Sequence, residues 1–105
     1  MPSDTDVTVI GGAGHVGFGL GLILSSKGFK VSLIDKHREN IKKINNGNVP
    51  FLEENSKKLL NKMIRKKRIY ATNKLNEVLK SKYIIVCIGT PINSKLNPSL
   101  TNFIN

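Results

Sequence analysis

Hydrophobic residues fall along this chain in short runs of two alternating kinds, compact β-branched blocks and stretches with helical spacing. Val7-Thr8-Val9-Ile10 is a block closed by Gly11-Gly12, which predicts a buried strand entering a tight turn. Val16, Leu20, Ile23 and Leu24 then recur at helical spacing up to Lys27-Gly28, a helix stop. Lys30 to Ile34 predicts a second strand ending at Asp35, and Ile41 and Ile44 a short helix ending before Asn46-Gly47-Asn48. After Pro50 comes a lysine-rich helix from Ser56 to Lys67, with Leu59, Leu60, Met63 and Ile64 as its apolar stripe. Ile69 to Thr72 is a third strand. Asn73 caps a helix carrying Leu75, Val78 and Leu79, and Tyr83 to Ile88 is a fourth strand ended by Gly89-Thr90-Pro91. Ile92 to Pro98 is polar and turn-rich, and Ser99 can cap a further helix.

Strands alternating with helices predict a parallel sheet, and right-handed crossovers give the order 3-2-1-4 with helices on both faces. This is an α/β chain, half of a Rossmann-type doubly wound sheet. The fourth strand would sit at an open edge although it is nearly all apolar, as in a strand covered on both faces and paired on both sides, so the pattern reads as an incomplete sheet continued by further strands.

Composition narrows the class. A chain of 105 residues with 39% hydrophobic residues supports one core. Residues 7–26 carry no Asp, Glu, Lys or Arg, the length of a membrane span, but hold six glycines and begin as a strand, which argues against a membrane segment or a leader. The net charge of +10 suggests a polyanionic partner. Seven of the seventeen Lys and Arg residues lie between Lys57 and Arg68, opposite the apolar stripe and without interleaved aromatics, so a solvated helix face is preferred to a nucleic-acid surface. Cys87 is the single cysteine, which excludes a disulfide framework and points to a reducing, cytoplasmic setting. Its place inside an apolar run makes it a core residue, and no Ser/His/Asp set, carboxylate pair or metal cluster stands out.

The chemistry concentrates in Gly12-Ala13-Gly14-His15-Val16-Gly17, a G-x-G-x-x-G directly after a strand and opening a helix. In such a turn Gly12 permits the bend, Gly14 admits the pyrophosphate of a dinucleotide, and Gly17 lets the helix lie against the strand; helix-start N–H groups bind the anion. Gly19 and Gly21 need only packing. His15 touches the pyrophosphate through its backbone, and His37 is a solvated loop residue. Asp35, eighteen residues beyond Gly17, can accept hydrogen bonds from the adenosine ribose, which favours NAD, although Lys36 and Arg38 beside it keep NADP open. The alternative for the same residues is structural, with the glycines packing helix on strand and Asp35 capping a helix. Thr90, at the carboxyl end of the sheet, is open between a cofactor contact and a turn before Pro91.

Val9 to Gly17, Asp35, the segment Ile44-Asn45-Asn46-Gly47-Asn48-Val49-Pro50-Phe51-Leu52-Glu53-Glu54, Ala71-Thr72 and Ile88-Gly89-Thr90-Pro91 together resemble, in register, the amino-terminal part of the UDP-glucose/GDP-mannose dehydrogenase family. The form of the motifs is most similar to the branch that includes UDP-N-acetylmannosamine dehydrogenases. The resemblance implies an oxidoreductase of nucleotide-sugar metabolism and polysaccharide biosynthesis, oxidising a sugar C6 alcohol to a carboxylate with two NAD through a thiohemiacetal on a catalytic cysteine. It further implies NAD contacts from Gly12, Ala13, Gly14, His15, Val16 and Gly17, from Asp35 and Lys36, and from Gly89, Thr90 and Pro91. Asn40 stands where the family often carries Lys or Arg beside the cofactor, and Ser99 replaces a common acid. By the same resemblance residues 1–105 are one truncated NAD-binding domain. The central helix, substrate domain and catalytic residues then lie beyond Asn105, leaving a fragment that binds NAD without turning over sugar, with Cys87 outside the catalytic motif. The intact protein would be a homo-oligomer taking a nucleotide sugar, with no nucleic-acid or membrane partner. A non-catalytic NAD(H)-sensing regulatory module is the competing function.

Overall fold

The computed structural model describes residues 5–50 and 55–87. Strands β1 (Thr5–Ile10), β2 (Val31–Ile34), β3 (Ile69–Thr72) and β4 (Ser81–Val86) form one parallel sheet in the order β3-β2-β1-β4. Helix α1 (His15–Ser26) links β1 to β2, α2 (Arg38–Asn45) and α3 (Ser56–Arg65) lie between β2 and β3, and a 3-10 helix (Leu75–Lys80) leads into β4. The predicted order and the Rossmann-like α/β class are both observed.

Register and pleat decide which layer each element covers, because alternate side chains point to opposite faces. Val7, Val31 and Ile69 align across the sheet, as do Val9, Leu33 and Ala71. These residues form the core with Phe18 and Leu22 of α1, Ile44 of α2, and Leu60 and Met63 of α3. The other face carries Thr8, Ser32 and Tyr70, and there the Tyr70 hydroxyl donates to Glu77 of the 3-10 helix. Its buried hydroxyls satisfy one another: Thr8 Oγ1 meets Ser32 Oγ at 2.7 Å and also pairs with Ser81.

Helix α1 turns a different side to the sheet than its large apolar residues predict. Val16 and Ile23 are exposed, while Gly17, Phe18, Gly21, Leu22 and Ser25 are buried. The helix is apolar nearly all round, so hydrophobicity alone leaves its orientation open. Close packing decides it. A Cβ on Gly21 would meet the Leu33 side chain at 2.5 Å, so glycine marks the face that approaches the sheet. Gly19, taken from sequence as a packing residue, has nothing within 4 Å of a Cβ position. Gly19→Ala is therefore expected to raise stability by about 0.5–1 kcal/mol through helix propensity, read as a higher melting temperature.

The two sheet edges differ. β3 is an outer strand, and the Asn45 side chain serves as its missing neighbour: Nδ2 donates to the Ala71 carbonyl and Oδ1 accepts the Ala71 N–H, both at 2.8 Å. Just beyond, Gly47 adopts φ +83° and its carbonyl accepts from Asn61 Nδ2 at 2.9 Å, tying the α2–α3 connection to α3. At the other edge β4 pairs with β1 alone among the described residues. Tyr83, Ile84 and Val86 are exposed, as expected of an apolar fourth strand lying at an open sheet edge. It also begins two residues earlier than predicted, because pairing with β1 extends through polar Ser81 and Lys82.

Three other boundaries shift. β2 starts at Val31, and α3 stops at Arg65, before Lys67 takes a left-handed φ of 58°. The segment expected as an Asn73-capped helix is six residues of 3-10 helix with no buried residue, flanked at its start by Lys74. Only the eight residues between β3 and β4 are available for this crossover, too few for a packed α-helix. Gly89, Thr90, Pro91, Ile88, the residues 51–54 and the helix expected after Ser99 lie outside the described residues.

Candidate functional site

The turn between β1 and α1 is held by main chain on both sides. Gly11 N–H and Gly12 N–H donate to the Ile34 carbonyl at 2.7 and 3.0 Å, and Cys87 N–H donates to the Ile10 carbonyl at 2.7 Å. Gly14 N–H closes the turn on the Gly11 carbonyl at 3.2 Å, and Phe18 N–H to the Gly14 carbonyl, at 2.9 Å, starts the helix.

Each glycine has a distinct constraint. Gly11 carries the positive φ, +83°, and a Cβ there would overlap the Cys87 carbonyl. The tight bend assigned from sequence to Gly12 thus belongs to Gly11, one residue before the motif. Gly12 instead lies on Leu33, whose Cα and Cβ stand 2.8 and 2.6 Å from a Cβ position. A Cβ on Gly17 would overlap the Gly11 carbonyl, as helix-to-strand packing requires. Gly14 differs from all three. Its backbone is extended, at φ −82° and ψ 171°, and a Cβ would meet only the Gly11 carbonyl oxygen, at 3.4 Å. Space is open at Gly14.

Gly14 is also the N-cap of α1, which has no side-chain cap and no acidic residue in its first turn. A twelve-residue helix whose positive end faces open space with no carboxylate of its own suits an anion. His15 and Val16 are exposed around this opening. The turn therefore fits the pyrophosphate of a dinucleotide sterically and electrostatically.

Asp35 follows β2 directly, and its side chain, 8% exposed, reaches back to the turn. Oδ2 accepts the Ala13 N–H at 3.0 Å; Oδ1 accepts the His37 N–H at 3.1 Å and meets His37 Nδ1 at 2.7 Å. Burial works against the charged carboxylate, but the hydrogen bonds from the His37 ring, the His37 N–H and the Ala13 N–H outweigh it and hold the carboxyl below its ordinary value. Its contribution to stability is complete above the unfolded-state value and is lost as pH falls through the lowered one. Asn40 joins the same group, its Nδ2 3.5 Å from the Ala13 carbonyl, while Lys36 is exposed.

His37 carries a role that sequence reasoning missed. It is an exposed residue just before α2, as expected, but its ring is bound to Asp35. The spacing Asp35-x-His37 before a helix was the available signal. Cys87 is half-buried against the core, with its N–H bound to the Ile10 carbonyl and its own carbonyl close against Gly11, a structural position. Elsewhere, a cleft of about 460 Å3 runs between α2 and β3, past Arg38, Lys42, Asn45 and Thr72, and includes neither the glycine turn nor Asp35. Among the described residues no helix is long and apolar enough to cross a membrane, and no three His, Cys, Asp or Glu side chains group as metal ligands.

Comparison with known proteins agrees with this geometry. Residues 5–105 match the model of the UDP-glucose/GDP-mannose dehydrogenase family, NAD binding domain. The chain is 27% identical over 81 residues to a UDP-N-acetyl-D-mannosamine dehydrogenase of Pyrococcus horikoshii, a match covering 77% of this chain and 19% of that protein. Among solved structures it resembles a ternary complex of GDP-mannose dehydrogenase from Pseudomonas aeruginosa, with a TM-score of 0.78 and 29% identity over 85% of this chain and 20% of the other. A UDP-glucose dehydrogenase from Pyrobaculum islandicum shares the fold, with a TM-score of 0.77 and 18% identity over 86% and 21% of the two chains. The chain spans about a fifth of the length of these relatives. It belongs to the UDP-glucose/GDP-mannose dehydrogenase family, as its NAD-binding domain.

Proposed function

We propose that this chain is the cofactor-holding part of an NAD-dependent nucleotide-sugar 6-dehydrogenase of the UDP-N-acetylmannosamine or UDP-glucose type. The observation that carries the reading is the opening at Gly14, where the uncapped positive end of α1 meets Asp35 across Ala13. In this reading the backbone of Gly12 to Gly17, with His15 and Val16 at its rim, surrounds the pyrophosphate, and Asp35 accepts the adenosine ribose hydroxyls. Lys36, Asn40, Gly89, Thr90 and Pro91 border the cofactor further along. Bound NAD supplies a hydride acceptor.

The whole reaction, oxidation of the sugar C6 alcohol to a carboxylate with two NAD in a cytoplasmic homo-oligomer, is proposed for a protein of the relatives' length. The 105 residues alone are proposed to bind NAD as one domain without turning over sugar. Relatives about five times as long, and the structural role of Cys87 here, support that division.

Calorimetric titration of the folded chain with NAD, NADH and NADP tests the reading. NAD and NADH are expected to bind, NADP more weakly because its 2′-phosphate faces Asp35. Asp35→Ala is expected to weaken NAD about tenfold to a hundredfold, the size of one or two hydrogen bonds to a charged group. A well-folded chain with no affinity for either NAD or NADH would overturn it.

A further inference from the structure

An ionised carboxylate offers about four lone-pair positions, two on each oxygen. On Asp35 three are taken: the Ala13 N–H lies on Oδ2, and the His37 N–H and ring Nδ1 lie on Oδ1. One position, on Oδ2, is left by these contacts. A ribose presenting both its hydroxyls needs two. The Ala13 and His37 N–H groups belong to main chain fixed by the glycine turn and the start of α2, so neither can withdraw without moving an element. The His37 ring can. Its side chain is 64% exposed and rotates into water.

We propose that His37 is a positioning residue for the cofactor ribose: in the free domain its ring holds the Asp35 carboxylate toward the glycine turn and occupies the place of one ribose hydroxyl, so dinucleotide binding displaces it. The proposal rests on the reading of Asp35 as ribose acceptor. Since Nδ1 meets an ionised carboxylate at 2.7 Å, Nδ1 bears a proton, as the neutral tautomer or as the imidazolium. A neutral ring exchanges this bond for one to water. An imidazolium gives up a charge-assisted bond, roughly twice as strong. Protonation of the ring therefore weakens NAD binding, which falls in acid. Charge attraction alone would act in the opposite sense, because an added positive charge favours a pyrophosphate.

The other charged or titratable groups on the elements meeting here are Lys36 and Arg38 on either side of His37, Glu39 in the first turn of α2 with Lys42 and Lys43 in its last, and His15 at the start of α1. His15 is the other histidine, and comparing variants at His37 leaves it common to all.

The experiment is calorimetry with NAD and with its 2′-deoxyadenosine analogue at about pH 8 and about pH 5.5, where Asp35 stays ionised, on wild type, His37→Gln and His37→Ala. Wild-type affinity for NAD is expected to fall about threefold to tenfold between the two pH values, beyond any change for the analogue, which keeps the pyrophosphate and lacks the adenosine diol. Both variants are expected to flatten that fall and to bind NAD more tightly than wild type at the lower pH. The proposal is overturned if His37→Gln keeps the wild-type ratio, or if NAD affinity rises in acid in step with the analogue. NAD binding with an unchanged ratio removes this inference alone, whereas no NAD binding at either pH removes the parent reading and this one with it.

Discussion

Gly11→Ala is expected to lower the melting temperature of the domain by about 15 °C, although Gly11 lies outside the G-x-G-x-x-G spacing. Two costs combine at this position. The backbone sits at φ +83°, where an L side chain costs roughly 1–2 kcal/mol. The new Cβ would also overlap the Cys87 carbonyl oxygen and stand 3.0 Å from its carbon. Overpacking against a side chain can be relieved by a rotamer change, but this contact is main chain. Cys87 N–H is bound to the Ile10 carbonyl and Gly11 N–H to the Ile34 carbonyl, so the residue is clamped between β4 and β2. Adding roughly 1–3 kcal/mol for that overlap gives a loss of about 3 kcal/mol. At about 4–8 °C per kcal/mol for a domain of this size, the shift is well within reach of calorimetry or circular dichroism. A change under about 4 °C would show that the turn relaxes without cost and that Gly11 is not the bend.

The architecture was legible because its evidence is local and redundant. β1, β2 and β3 are β-branched blocks between turn residues, and the strand order follows from crossover handedness once the alternation of elements is read. What the pattern misread depends on contacts rather than on residue type. The buried face of α1 is marked by Gly17 and Gly21, which hydrophobicity does not count as core. The start of β4 was misplaced by two residues, because the strand begins where β1 offers partners rather than where its apolar run begins.

The site divides along the same line. The glycine spacing and Asp35 were visible, because a G-x-G-x-x-G between strand and helix is a constraint written in consecutive residues. The bend at Gly11 rather than Gly12 was not, since these two glycines are distinguished by Cys87 and Leu33, 76 and 21 residues away. The family segment around Asn45 and Gly47 likewise proves to be structural, closing the β3 edge and tying down α3 rather than meeting the cofactor turn. The Asp35-x-His37 spacing fits an ordinary loop as well as a bonded pair, so the meaning of His37 comes only from the direction in which Asp35 turns.

Gly14→Ala is expected to do the reverse of Gly11→Ala, leaving the melting temperature within about 4 °C of wild type while weakening NAD by more than about tenfold. The extended backbone of Gly14 is open to any residue, so no conformational strain arises. The nearest atom to a new Cβ is the Gly11 carbonyl oxygen at 3.4 Å, an ordinary contact. Fold stability therefore has little at stake in this methyl group. Cofactor binding has much more, because the methyl would stand at the uncapped start of α1, in the space where the pyrophosphate must approach main chain. Even a loss of 1.4 kcal/mol there is tenfold in affinity. Thermal melting and NAD titration on the two variants then separate the turn's two jobs: Gly11 serves the fold, and Gly14 serves the anion. If Gly14→Ala bound NAD as tightly as wild type, the pyrophosphate would have to lie elsewhere, and the glycine at that position would need another reason.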